Sequence, residues 1–180
     1  MNDISNENKR VREKLPFLDN GISQIAFVVR DLDKTVENYY RLFGIGPWQF
    51  YTYGKPLVSR MTRHGRPTEY KMRIALSYFG PTRVEFIEHM EGDTVYSDFI
   101  GTHGFGIQHL GLVVDDIEDS LALARAAGLS VTMEGSGFGL DGDGYYAYLD
   151  TEELLGTTLE LIQRPKSRHL PEKTYPPEAS

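Results

Sequence analysis

The chain repeats itself, and that repeat narrows the folds open to it more than any single motif does. Residues 22–36, ISQIAFVVRDLDKTV, lie over residues 107–121, IQHLGLVVDDIEDSL, without a gap. Apolar positions, an acidic turn and a helix start coincide in the two stretches. Further along, residues 84–88 (VEFIE) lie over residues 159–163 (LELIQ). Two related modules are therefore expected, covering residues 21–90 and 106–165.

Each module opens on a Val- and Ile-rich run that reads as a strand, followed by Asp-containing residues able to cap a helix. In the first, Val36, Tyr39, Tyr40 and Phe43 follow helical spacing and Gly44 is placed to stop the helix. In the second, Ile117, Leu121 and Ala124 form the stripe and Gly128 is the expected stop. Three more strands follow each helix, around residues 48–53, 71–78 and 82–87 and around residues 130–133, 145–150 and 157–162. Each module thus reads β-α-β-β-β, and the fold class is α+β. Residues 1–20 form an N-terminal extension, residues 53–68 a polar loop, residues 91–105 a linker and residues 166–180 a tail. The first dozen residues and the Pro-rich tail are expected to be extended or disordered, without a chemical role.

Composition removes several classes of function. With no Cys, the chain has no thiol nucleophile, zinc ribbon, iron–sulfur cluster or disulfide, which fits a reducing compartment. Any metal must sit on nitrogen and oxygen ligands. The formal net charge of -7 argues against nucleic acid as the main partner. No apolar run approaches the roughly 18 residues of a membrane span, and the first twenty residues lack the apolar core of a signal peptide, so a cytoplasmic protein is expected.

Four polar residues fall at matched places: Gln24 and His109 on the opening strands, Glu85 and Glu160 on the closing ones. Strand alternation puts Gln24 on one face with Ala26 and Val28, and leaves Ile25, Phe27 and Val29 to pack on the helix. His109, with Gly111 and Val113, repeats the arrangement. A buried carboxylate is costly unless paired or on a metal, and two such carboxylates repel without a cation. If the two sheets face each other, an imidazole, an amide oxygen and two carboxylates converge on one divalent ion with positions open for water or substrate. The bland alternative is four sheet-edge residues satisfied by water; their coincidence in a repeat counts against it. The set does not choose among Zn, Ni, Co, Mn and Fe.

These residues resemble the vicinal oxygen chelate superfamily over roughly residues 21–165. GFGIQHLGLVVDDI (residues 104–117), LGTTLELIQRP (155–165) and RDLDKTVENYYRLFGIGPW (30–48) are most similar to the methylmalonyl-CoA epimerases. The resemblance implies paired βαβββ modules in a cupped, barrel-like mixed sheet around one metal, with Gln24, Glu85, His109 and Glu160 as ligands. The epimerases usually have His where this chain has Gln24, and the set Gln, Glu, His, Glu resembles that of eukaryotic glyoxalase I. Extradiol dioxygenases use two His and one Glu on iron, and only one His stands at these positions.

The implied activity is a metal-dependent epimerase or racemase that moves a proton at the carbon beside a carbonyl through an enolate held on the metal. The substrate would be a small carbonyl compound, either an acyl-CoA or an aryl or cyclic ketone. A glyoxalase I-like lactoylglutathione lyase is the first alternative and a non-catalytic binding protein of the same fold the second. The resemblance implies Glu160 as the base. It also aligns TEYKMRIALSYFGPTRVEF (residues 68–86) with the epimerases, which puts Glu69 near their additional base; the bland reading of Glu69 is a solvated strand edge. A homodimer is expected on the same ground.

Other features carry less. His64, His89 and His103 read as loop or surface histidines. The 11 Tyr, 9 Phe and 1 Trp read mainly as core, though those facing the cup would suit a flat substrate. The basic run RMTRHGR (residues 60–66) could grip CoA phosphates on charge alone. GSGFGLDGDG (residues 135–144), with no strand leading in and no helix following, reads as a mobile rim loop rather than a nucleotide motif.

Overall fold

The computed structural model describes residues 15–177; the expectation for the first dozen residues lies outside them. Before the first module, a 3-10 turn at Pro16–Asn20 buries Phe17 against the second module, so the end of the N-terminal extension is packed. The first module comprises β1 (Gln24–Val28), α1 (Leu32–Phe43), β2 (Trp48–Tyr53), β3 (Arg60–Arg63), β4 (Arg66–Pro67), β5 (Lys71–Phe79) and β6 (Thr82–Glu91). Helix α2 (Val95–His103) follows. The second module comprises β7 (Gly106–Val113), α3 (Ile117–Ala126), β8 (Val131–Ser136), β9 (Tyr145–Leu149), the short α4 (Glu152–Leu155) and β10 (Thr158–Gln163). A last strand, β11 (Lys173–Tyr175), closes the chain.

All eleven strands belong to one curled mixed sheet in the order β11-β2-β5-β6-β1-β7-β10-β9-β8-β3-β4, so the fold class is α+β as expected. Within each module the opening and closing strands run parallel, β1 with β6 and β7 with β10. The modules join where β1 and β7 pair antiparallel, with Gln24 opposite Gly111 and Ala26 opposite His109. One face of the sheet is covered by α1 and α3, and the other lines the cup. Under α1 lie Leu32, Val36, Trp48 and Phe86, with the Trp48 and Phe86 rings stacked at 4.6 Å. Under α3 lie Ile117, Leu121 and Ala124 with Leu112 and Leu161. Truncating Leu121, which is fully buried, to Ala would cost about 2–5 kcal/mol.

Local chemistry sets the helix ends. The Asp31 side chain accepts from the Lys34 amide at α1, Asp116 accepts from Asp119 at α3, and Gly44 adopts the left-handed conformation that ends α1. In the second module the helix ends at Ala126 with Ala127 as cap, and Gly128 follows at once with a left-handed φ of 88°. Along the α1 stripe Leu32 and Val36 are buried, while Tyr40 and Phe43 are exposed.

Three sequence readings are corrected, and the linker is filled in. The polar stretch at residues 53–68 is not merely a loop: residues 54–59 cross from β2, near one end of the sheet, to β3, near the other, and β3 pairs with β8. The crossing spans the cup, which is a half-barrel whose end strands, β11 and β4, do not pair with each other. The linker contains α2, whose Tyr96 has no exposure. The tail is ordered through residue 177: β11 pairs with β2, and the Glu172 carboxylate accepts from the amide and hydroxyl of Thr52. The Gly-rich segment begins inside β8 and is tied down, with Leu140 donating to Ser167 and Phe138 buried.

Candidate metal centre

The cup's lining follows from strand parity. Successive inward residues are Gln24, Ala26 and Val28 on β1, Arg83, Glu85 and Ile87 on β6, His109 and Gly111 on β7, and Thr158, Glu160 and Ile162 on β10. Pairing arranges them in two rows across the four strands. One row reads Glu85, Ala26, His109, Thr158; the other reads Arg83, Gln24, Gly111, Glu160. The two smallest side chains stand between the polar ones, at positions that match in the repeat. They leave the space into which the polar groups point. A Cβ on Gly111 would lie 2.8 Å from the Gln24 Cβ and 3.3 Å from Glu160 Oε2.

The four expected ligands are brought together and buried: Gln24 is 1% exposed, Glu85 8%, His109 0% and Glu160 4%. His109 Nε2 lies 3.1 Å from Glu160 Oε2 and 3.6 Å from Glu85 Oε2. The Gln24 amide nitrogen donates to Glu85 Oε2 at 2.8 Å and to Glu160 Oε2 at 3.0 Å. All four come from one chain, so no second copy is needed to complete the set. Glu69 is not among them. It is exposed on the chain leading into β5, with Lys55 Nζ 3.5 Å from its carboxylate.

The imidazole is oriented from behind. Gln108 Oε1, 2.7 Å from His109 Nδ1, can only accept, so Nδ1 carries the proton and Nε2 faces the carboxylates. Gln108 is held in turn by donating to Thr158 Oγ1. Burial alone would push the His109 pKa down, but Glu160 and Glu85 overcome it and raise the pKa to about 9. Arg83 is itself 6% exposed and donates from Nε to Gln24 Oε1 at 2.6 Å. An arginine N–H cannot donate to an amide NH2, so this bond fixes which end of Gln24 faces the carboxylates.

Around the set runs an aromatic wall. Tyr51, Tyr53, Tyr70, Tyr96, Tyr146 and Tyr148 all belong to the buried cluster inside the cup. Tyr96 pairs hydroxyls with Tyr148 at 2.6 Å, and Tyr70 with Tyr146 at 2.8 Å. Burial raises the pKa of Tyr53 to about 12 and lifts Tyr96, Tyr146 and Tyr148 well above the ordinary tyrosine value, so these hydroxyls stay neutral. A groove of about 660 Å³ lies between Tyr51, the Gly-rich loop and the tail residues His169 and Leu170. None of the four polar residues lines it.

The residues fit a divalent cation. Ligand atoms of Glu85, His109 and Glu160 all lie within 4.8 Å of one another, and two carboxylates with one imidazole suit a first-row dication. Gln24 fits less simply, because an amide ligates through oxygen and its oxygen is held by Arg83. The basic run does not gather at the site: Arg63 pairs with Asp93 and Asp98, and Arg60 lies near Glu134. His103 pairs with Glu152, and His89 meets Thr94 Oγ1 at 3.3 Å.

Sequence reasoning missed two contributors, Arg83 and Arg168. Arg83 stands immediately before the matched stretch at residues 84–88, and its two-residue spacing from Glu85 was the available signal. Arg168, in the tail, donates to the Tyr53 hydroxyl at 3.0 Å and lies over the Tyr51 and Phe138 rings.

Comparison with known proteins agrees with this architecture. A methylmalonyl-CoA epimerase from Mycobacterium tuberculosis is 18% identical, covers 89% of this chain and 97% of its own, and superposes with a TM-score of 0.59. A variant of the Streptomyces coelicolor methylmalonyl-CoA epimerase, solved with 2-nitronate-propionyl-CoA, is 20% identical over 79% of this chain and 95% of its own, with a TM-score of 0.55. A hypothetical protein from Bacillus halodurans is 17% identical over 82% and 96%, with a TM-score of 0.57. At these identities the likeness establishes a shared fold. No curated protein matches the sequence significantly. The profile of one family does match, over residues 23–148, and that span is most of the chain. The chain belongs to the Glyoxalase/Bleomycin resistance protein/Dioxygenase superfamily.

Proposed function

We propose that the chain is a metal-dependent isomerase, an epimerase or racemase that moves a proton at the carbon beside a carbonyl. The observation that carries this reading is the convergence of two buried carboxylates and an oriented imidazole inside an aromatic cup. A divalent cation held by Glu85, His109 and Glu160 would supply Lewis-acid stabilisation of negative charge on the carbonyl oxygen, worth several kcal/mol.

The chain's own groups do the rest. Glu160 is the base: a carboxylate oxygen takes the proton from carbon, and inversion follows when that carbon, now planar, receives a proton on its opposite face. Gln24 and His109 touch the same Oε2 atom, and so they hold the carboxylate in place. A base positioned in this way contributes about 10²–10⁴-fold. The tyrosine wall keeps bulk water from the reacting carbon, and its neutral hydroxyls can donate to the substrate. Glu69, at the surface beside Lys55, is assigned no proton transfer in this reading.

The test is solvent deuterium incorporation, measured by mass spectrometry on a panel of acyl-CoA thioesters, aryl and cyclic ketones and the glutathione hemithioacetal of methylglyoxal. Metal content per chain is measured in parallel. Exchange that needs about one bound divalent ion per chain and disappears in Glu160→Gln supports the proposal. Turnover of the hemithioacetal alone would make the chain a lyase of the glyoxalase type. Small-molecule binding with no exchange in any compound would make it a binding protein.

A further inference from the structure

We propose that Arg83 forms an anion subsite beside the metal-binding set and receives a carboxylate carried by the substrate one or two bonds from its carbonyl. This inference rests on the isomerase reading and narrows its substrate to carbonyl compounds that are themselves carboxylic acids.

Arg83 is 6% exposed and faces into the cup on the same side of β6 as Glu85. A buried arginine ordinarily spends its planar fork on a carboxylate or on carbonyl oxygens. This one does not. Among the described residues its side chain has one hydrogen-bond partner, Gln24 Oε1, reached through Nε, which leaves both terminal nitrogens of the fork without a protein partner. Glu85 and Glu160 act on it only at a distance and form no ion pair with it. Those two carboxylates are engaged elsewhere, with His109 and the Gln24 amide.

The charge pattern around Arg83 points the same way. Arg164, exposed, and Arg168, half-buried, lie close enough to oppose its charge. Three cations therefore lie near one another here, only two of them with access to solvent. A cation neutralised by Glu85 and Glu160 would leave this end of the cup in positive excess, which attracts an anionic substrate and holds it once inside. An aliphatic or aromatic ketone would leave the Arg83 fork desolvated and unpaired, at a cost its binding would have to meet.

Gln24 links the two halves of the site. Its oxygen takes Arg83 and its nitrogen takes the two carboxylates, so the fork stands one amide's width from the ligand set. That short separation is why the anionic group belongs close to the carbonyl and not at the far end of a long substrate. An arginine fork also pairs with a carboxylate through two parallel N–H bonds, which would fix the orientation of the carbon that Glu160 faces.

The experiment uses pyruvate and pyruvamide, which share a carbonyl and nearly a shape but differ in charge. The Zn-loaded full chain is titrated with each, and with inorganic phosphate, by calorimetry; metal content is measured on the same samples. The wild type is expected to bind pyruvate at least about tenfold tighter than pyruvamide. In Arg83→Met the ratio is expected to fall to about one, with metal content and circular dichroism unchanged. A wild-type ratio near one, or a preference that survives Arg83→Met, overturns the subsite. Tighter binding of phosphate than of pyruvate overturns the carboxylate assignment. If Arg83→Met does not fold, Arg83→Lys decides: a ratio reduced by about threefold or more supports the fork, and an unchanged ratio overturns it. If the chain takes up no metal, the isomerase reading fails separately, and the same titrations on the metal-free chain still decide the subsite.

Discussion

The two modules share a backbone and differ in what they place behind it. Gln24 in the first corresponds to His109 in the second, Ala26 to Gly111 and Glu85 to Glu160. The residues that pair beside Gln24 and His109 are Arg83 and Thr158. In the second module, Thr158 and Gln108 form a relay whose one effect is to aim an imidazole. In the first, Ser23 stands where Gln108 would be, and Arg83 holds the amide of Gln24 instead. Duplication thus built a symmetric frame for two carboxylates, and divergence behind it gave one half an oriented imidazole and left the other half cationic.

The comparison is broken most severely at the carboxylates. Glu160→Ala or Glu85→Ala is expected to lower divalent metal affinity by more than the roughly 10–100-fold that an outer hydrogen-bond partner is worth. Elemental analysis after dialysis would read this directly, and a variant that keeps one ion per chain would count against the ligand set. Next is Gly111→Ala, which makes the modules alike at the point where they cross. The added Cβ would sit 2.8 Å from both Gln24 Cβ and Ile162 Cδ1, an overpacking that costs about 1–3 kcal/mol in urea unfolding. The first module already carries Ala26 at the matched place. An unaffected Gly111→Ala would mean that the crossing is looser than these distances imply.

Gln108→Ser copies the first module's Ser23 into the second. It removes the acceptor on His109 Nδ1 and leaves the four central residues untouched. Metal affinity is expected to drop about tenfold, measured by competition with a chelating dye, with little change in unfolding. Equal loss of stability and affinity would make Gln108 a packing residue and not an orienting one.

What the sequence disclosed was whatever strand parity and duplication control. Gln24, Glu85, His109 and Glu160 were legible because an alternating strand shows its inward residues and a repeat shows them twice. The same parity places Glu69 outward, since Tyr70 and Met72 are buried in the cup. Alignment to a family does not register that. Residues 60–63 were opaque because their pairing partner, β8, lies far along the chain and a short polar strand has no periodicity of its own. The tail was opaque for a different reason. Its Pro- and Lys-rich composition is that of a disordered end, and what orders it is a set of polar pairs, Glu172 with Thr52 and Lys173 with Asp33, that no hydrophobic pattern announces.

That last pair gives the mildest way to sharpen the comparison. Asp33, in the first turn of α1, takes Lys173 from β11 and Arg73 from β5, and so it ties the tail to the first module. The matched residue in the second module, Glu118, has no ion pair among the described residues. The Lys173 hydrogen bond, opposed by partial burial and reinforced by Arg73, holds the Asp33 carboxyl below its ordinary value of 3.8. A carboxyl whose folded value is depressed stabilises the fold above the ordinary value and loses that contribution as pH falls through the lower one. These side chains are partly exposed and screened by solvent, so Asp33→Asn is expected to cost at most about 1 kcal/mol near pH 7, less in high salt, and to match the wild type once acid protonates Asp33. Hydrogen exchange should localise the effect, with faster exchange at residues 173–175 and none at the cup. Uniform loosening of both modules would show that the tail braces the whole sheet and not the first module alone.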